Sequence, residues 1–267
     1  MPSSLPRIIG LPYDASSSFR RGAAEGPNAI RAALHSSAGN SWTEDLHDLS
    51  VDGVLTDAGD LDISSNVRAR ELIEAGVAAL LGDGFRPMAL GGDHSVKYPV
   101  LRAVHAACGA FTVLHVDAHP DLYDEFEGDR HSHACPFARV MEEQLAGRLV
   151  QVGIRTMTGH QSAQAAHFGV EVIDMRAWGG GARPSISGPV YMSIDLDGID
   201  PAHAPGVSHQ EPGGLAVRDV IGLIQECGGT LIGADVVELN PSQDTNGMTA
   251  RVAAKLVKEL AARMLAS

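Results

Sequence analysis

The sequence predicts a three-layer α/β/α sandwich built on a central, mainly parallel sheet of about eight strands. Two observations carry that expectation. Short apolar runs alternate with helix-length amphipathic segments along the whole chain, as repeated strand–helix units do. The runs are also rich in Val and Ile, bounded by Gly and Pro, and free of polar alternation, which suits strands covered on both faces. The length of 267 residues fits one domain over 1–267, and no stretch is composed as a linker.

The first strand is expected at 7–11, where Ile8, Ile9 and Leu11 cluster, and a second at 53–57 around Val54 and Leu55. Between them "YDASSSFRRGAAEGPN" (13–28) reads as a long irregular stretch. A helix is expected at 66–82, "NVRARELIEAGVAALLG", with apolar residues at helical spacing. Strands follow at 86–90, 111–116, 149–154 and 170–173, with a helix at 135–147 opened by Pro136. After the Gly-rich loop 178–189 come a strand at 190–194, a helix at 215–228 and a strand at 230–236. The last helix, 249–265, is amphipathic and reads as core packing rather than a membrane or partner helix.

The net charge of −13 and pI near 5.3 argue against a nucleic-acid surface, which needs clustered Lys and Arg. No segment approaches the ~20 apolar residues of a membrane span, and the N-terminus has no signal-peptide run. Three cysteines without a CxxC pair suggest a reduced, cytoplasmic setting.

Ligands of open α/β sheets bind beyond the carboxyl ends of the strands, and four expected strands end in charged residues there. "PMALGGDHS" ends in His94, "VLHVDAHPD" in Asp117, His119 and Asp121, "VYMSIDLDGIDP" in Asp195 and Asp197, and "IGADVVELNP" in Asp235 and Glu238. Side chains at i, i+2 and i+4 of a strand point one way, so Asp117, His119 and Asp121 can converge, as can Asp195 and Asp197. Carboxylates crowded into one crevice repel unless cations neutralise them. Two divalent ions would do so, and an oxygen-rich set with two imidazoles suits Mn²⁺ better than Zn²⁺. Such ion pairs lower the pKa of a shared water, and the chemistry implied is hydrolysis.

Several features have plainer readings. Cys135 near His133 suggests a Cys–His nucleophile, which an activated water makes unnecessary, so a packing Cys is preferred. Arg20 and Arg21 beside Gly22 and Gly26 lack the phosphate-loop pattern and read as a structural loop near the mouth of the site. "DEFEGD" (124–129) is an acidic loop, and His209 either lines the pocket or caps a turn.

The motifs "GGDHS" (91–95), "DAHPD" (117–121), "SIDLDGIDP" (193–201) and "DVVELNP" (235–241) resemble those of the ureohydrolases, the family of arginases, agmatinases and related amidinohydrolases. The resemblance implies two Mn²⁺ per subunit, one held by His94, Asp117, Asp121 and Asp195, the other by His119, Asp117, Asp195 and Asp197, with Asp117 and Asp195 bridging. It implies attack on a guanidinium carbon by a hydroxide between the ions, giving urea and an amine. His133, Asp197 and Glu238 are the expected catalytic residues, Glu238 pairing with the guanidinium and His133 shuttling a proton, with His131 as a rival shuttle. A trimeric or hexameric homo-oligomer is implied as well. Tyr123 stands where arginases carry Asn, the Ser/Asn-rich loop of arginases has no counterpart, and Ala134 replaces the usual Gly after the shuttle. With the carboxylates of 124–129, these departures point to an agmatine-like substrate bound by Glu238, Tyr123 and His209. Arginase, guanidinobutyrase or formimidoylglutamase activity is the alternative within the family, and a catalytically silent binding or assembly member the alternative outside enzymes.

Overall fold

The computed structural model describes residues 5–63 and 68–266, so positions 66–67 of the expected 66–82 helix lie outside the described residues. Eight parallel strands form one sheet: β1 (Pro6–Leu11), β2 (Thr56–Asp60), β3 (Arg86–Gly91), β4 (Thr112–Val116), β5 (Arg148–Val152), β6 (Glu171–Ile173), β7 (Pro189–Asp195) and β8 (Thr230–Val237). Their spatial order is β2-β1-β3-β8-β7-β4-β5-β6. The described helices are α1 (Gly26–Leu34), α2 (Ala69–Gly82), α3 (Lys97–Cys108), α4 (Pro136–Glu142), α5 (Gly159–Phe168), α6 (Met175–Gly179), α7 (Val217–Gln225) and α8 (Met248–Leu265).

Helices cover both faces of the sheet. On one, Ile73 and Val77 of α2, Leu101 and Val104 of α3, and Phe137 of α4 pack on Val113, Leu149 and Tyr191. On the other, Ile30 of α1, Ile221 and Ile224 of α7, and Leu256 and Leu260 of α8 pack on Leu114, Val150, Met192 and Val236. This double cover explains the unbroken apolar character of the central strands.

Two expected elements shift. The strand placed at 53–57 is β2, three residues later, because Val54 and Leu55 pack into the core beneath the helices rather than enter the sheet. β2 itself is an edge strand and mostly exposed, so it carries no apolar signature. The helix placed at 135–147 ends at Glu142, and Gln144 takes a left-handed backbone that returns Leu145 to the core.

The crossover from β3 through α3 to β4 leaves a gap that β8 and β7 later fill. The carboxyl ends of β3, β8, β7 and β4 therefore lie side by side, at the place where such sheets open a crevice.

Candidate functional site

Each of those four strand ends delivers polar side chains into the crevice. β3 stops at Gly91 and Gly92, and a Cβ on Gly92 would collide with the Tyr13 carbonyl, so only glycine lets the chain turn there. Asp93 caps the turn by accepting from Ser95 N at 3.0 Å and from Ser16 N at 3.0 Å. His94 is thereby aimed at three carboxylates: its Nδ1 lies 3.2 Å from Asp117 Oδ2, 2.9 Å from Asp121 Oδ2 and 3.2 Å from Asp195 Oδ2.

Beside this group, His119 Nδ1 lies 3.1 Å from Asp197 Oδ2 and 3.4 Å from Asp117 Oδ1. Asp117 thus presents one oxygen to each imidazole. Backbone donors fix three of the carboxylate oxygens: His119 N donates to Asp117 Oδ1 at 2.6 Å, Asp197 N to Asp195 Oδ1 at 2.8 Å, and Ala118 N to Asp197 Oδ1 at 3.1 Å. Asp121 (φ 51°) and Glu238 (φ 64°) sit in the left-handed region, a sparse conformation that reverses the chain just where their carboxylates are needed.

The electrostatics ask for cations. Burial pushes Asp195 well above the ordinary carboxylate value, helped by Asp197 and Asp117, and raises Asp197 to about 7. Asp121 is raised by burial and by Asp117. Burial opposes a charge on His94, yet Asp117, Asp121 and Asp195 outweigh it and hold the ring well above its usual value. The crevice therefore demands positive charge at this point. Ser193 Oγ donates to Asp235 Oδ1 at 3.0 Å, so it accepts from His94 Nε2, 3.2 Å away, and Nδ1 is the ring atom left to face the three carboxylates. An imidazole nitrogen facing three carboxylate oxygens is the donor set of a hard or borderline divalent ion, and the residues fit one. Asp117, His119 and Asp197 form a second group close enough to hold another.

Glu238 and His133 stand beside the carboxylates. Glu238 accepts from His94 N at 2.8 Å, and its Oε1 lies 3.5 Å from His133 Nδ1. Burial opposes charge on both, but their pairing lowers Glu238 and raises His133 to about 9. His133 Nε2 lies 2.8 Å from Ser18 Oγ, and its ring stacks on His209 with centroids 5.2 Å apart.

These groups open into a cavity of about 190 Å³ lined by His119, Asp121, Tyr123, His133, Asp195, Asp197, His209 and Glu238. Tyr123 and His209 therefore reach the pocket, and the choice between wall and turn for His209 resolves to wall. Sequence reasoning missed Ser18, Phe126, Thr156, Thr158 and Gln161, which complete the lining. Only their place could have signalled them: Phe126 after the end of β4, Thr156, Thr158 and Gln161 after the end of β5, and Ser18 in loop 13–28.

His131 is not among the lining residues; its ring packs against Tyr98 at 5.5 Å. Asp235 also leaves the crevice. It lies fully inside the sheet layer and pairs with Lys97 of α3, also buried. Burial pushes the Cys135 thiol up to about 12, so it offers no thiolate near neutral pH. Of loop 124–129 only Phe126 faces the pocket, and Asp124 is held by Arg130 and Arg139.

A parallel α/β sheet whose central strand ends gather four buried carboxylates and two imidazoles defines a hydrolase of the metal-assisted type. The Arginase family model matches residues 6–262, and the chain belongs to the arginase (ureohydrolase) family, hydrolases that act on amidino C–N bonds. It is 46% identical to the mitochondrial arginase of Medicago truncatula, over 96% of this chain and 81% of the relative. It is 34% identical to the guanidinobutyrase of Pseudomonas aeruginosa, over 95% of this chain and 84% of the relative. The solved structure of arginase from Medicago truncatula superposes with a TM-score of 0.93 at 45% identity, covering 97% of this chain and 87% of that one.

Proposed function

We propose that the chain is a manganese-dependent arginase, hydrolysing the guanidinium of arginine to urea and ornithine. Arginine replaces the agmatine-like substrate expected from the sequence, for two reasons. The plant arginases are more similar to this chain than the guanidinobutyrase is. The carboxylates thought to repel an amino-acid head group also face elsewhere, with Asp124 neutralised by Arg130 and Arg139. The observation that carries the substrate reading is the cavity wall away from the acidic crevice. Ser18, Tyr123, Phe126, Ala134, Thr156, Thr158 and Gln161 are all uncharged. Ser18, Tyr123, Thr156, Thr158 and Gln161 can each donate and accept, so this wall can donate to the carboxylate and accept from the ammonium of an amino-acid head. It offers no counter-charge to a lone ammonium or a lone carboxylate.

His94, Asp117, Asp121 and Asp195 would hold one Mn²⁺, and His119, Asp117, Asp195 and Asp197 the other. When bound, the ions neutralise the crevice and lower the pKa of a water beside the substrate. Glu238, ionised, accepts two N–H groups of the guanidinium and fixes its plane, a pairing that hydrogen-bond geometry favours. The oxygen of water bonds to the guanidinium carbon, which becomes tetrahedral, and the water gives up one proton to a carboxylate of the cavity wall such as Asp121. The C–N bond to the alkyl amine then breaks, and the amine must take up a proton. His133, protonated near neutral pH and held between Ser18 and Glu238, supplies it. Tyr123 and His209 line the wall against which the substrate chain lies.

Assembly into a trimer or hexamer belongs to the same proposal. Trp42, Leu46 and Val51, exposed within one loop, are apolar surface that assembly would cover, and light scattering tests it. The function itself is tested by urea release from arginine, agmatine and 4-guanidinobutyrate by the Mn²⁺-loaded protein. Highest efficiency on arginine is expected, and preference for either other compound overturns the substrate reading.

A further inference from the structure

Beneath the acidic crevice a row of polar side chains crosses the sheet. Asp235 of β8 pairs in register with Ser193 of β7, Ser193 with His115 of β4, and His115 with Gln151 of β5. In-register neighbours of a parallel sheet point to the same face. All four are essentially fully buried in strands that are otherwise apolar, and none belongs to the six expected ligands. Burying such groups is costly unless each has a defined partner.

His115 Nε2 lies 2.8 Å from Asp117 Oδ2, and Gln151 Nε2 lies 3.1 Å from His115 Nδ1 and 2.6 Å from the Pro120 carbonyl oxygen. The Pro120 carbonyl can only accept, so it is the amide nitrogen of Gln151, not its oxygen, that faces both groups. That nitrogen donates its second hydrogen to His115 Nδ1. The Nδ1 atom is therefore the acceptor, and the ring hydrogen sits on Nε2 and is donated to Asp117. By distance alone His94, His115 and Asp117 could form a metal-binding triad. The tautomer set by Gln151 removes His115 from that set, because its crevice-facing nitrogen carries a hydrogen and has no lone pair to give.

We propose that His115, oriented by Gln151, is a positioning residue that holds the bridging carboxylate of Asp117 and is not itself a metal ligand. The inference rests on the reading of Asp117 as a bridge between two ions. Asp117 has one oxygen toward His94 and the other toward His119. Its rotation is fixed by two donors, His115 Nε2 on Oδ2 and His119 N on Oδ1. Removing the His115 donor frees the carboxylate that both ions share, so both affinities should fall together. Removing a ligand would instead empty one position.

The test titrates Mn²⁺ alone into the chelated protein and reads free Mn²⁺ by electron paramagnetic resonance. The unmodified protein is expected to bind two ions per chain. His115→Phe should still bind two, each ~10–100-fold more weakly, the usual effect of losing a partner behind a ligand. His115→Gln places an amide N–H at similar reach and should bind within about threefold of the unmodified protein. Gln151→Leu, which releases the tautomer, should weaken both ions about tenfold. Unchanged binding in His115→Phe overturns the inference, and so does loss of one ion in both His115 variants, which would make His115 a ligand. Should His115→Phe fail to fold by circular dichroism, Gln151→Leu decides alone, and unchanged binding there overturns it. Fewer than two ions in the unmodified protein would overturn the metal reading itself, an outcome distinct from every variant result.

Discussion

His133 and His131 lie two residues apart yet face different surroundings, one in the cavity between Ser18 and Glu238, the other against Tyr98. His133→Asn should keep its metal and lose turnover by ~10²–10⁴-fold, the usual worth of a general acid–base group. His131→Asn should leave turnover near that of the unmodified protein; the reverse result in steady-state kinetics would exchange the two roles. The pH profile follows from the same contacts. His133 donates a proton, and its pKa is raised from 6.5 to about 9, so kcat should fall as pH rises through the interval between those values. Cations beside Asp121 cancel part of the charge that raises it, which places the midpoint of that limb below about 9 in the loaded enzyme. Asp117→Asn removes a charge shared by both imidazole groups and should lower Mn²⁺ occupancy. Full occupancy by elemental analysis would defeat the bridging assignment.

At the level of elements, α3 is tied to the sheet by one buried ion pair, Lys97 with Asp235, set against the Tyr191 ring. Lys97→Met leaves a buried carboxylate with only the Ser193 hydroxyl, and breaking such a pair typically costs about 3–5 kcal/mol. Denaturant unfolding measures this, and adding Asp235→Asn should recover part of the loss. The polar residues that gather in the crevice were legible in the sequence without knowledge of strand order: Asp117, His119, Asp121, Asp195 and Asp197 stand at alternating positions just past apolar strands, and His94 follows a double-Gly turn. The row Asp235–Ser193–His115–Gln151 was not. Each member is a single polar residue inside an apolar run, and its partner is set by the order β8-β7-β4-β5, which sequence succession does not reveal. The same limit applies to substrate. The charges of loop 124–129 could be counted, but not the pairing of Asp124 with Arg130 and with Arg139 from α4.

Across the whole molecule, metal and fold are coupled through the crevice. In the metal-free protein Asp121, Asp195 and Asp197 titrate above their ordinary values, and His94 and His119 do so as well, His119 at about 12. The three carboxylates make the folded form bind more protons than the unfolded chain above about pH 4, and the two imidazoles add to this above about 6.5. His115, lowered to about 4, has the opposite sign between about 4 and 6.5, so the stability of the metal-free protein should fall most clearly above about pH 6.5. Bound cations replace those protons. The difference in Tm between loaded and chelated protein should therefore be wider at pH 7.5 than at pH 5, and an equal or narrower gap in calorimetry would contradict the cation reading. The doubly wound sheet makes this coupling possible, because it brings the ends of β3, β8, β7 and β4 together although they are far apart in the chain. The most direct test of the central claim is a comparison of kcat/KM for arginine, agmatine and 4-guanidinobutyrate on protein carrying two Mn²⁺ per chain. Arginine is expected first by about tenfold or more, the worth of one well-placed hydrogen bond to a charged group; equal or higher efficiency on agmatine or 4-guanidinobutyrate would overturn the arginase reading.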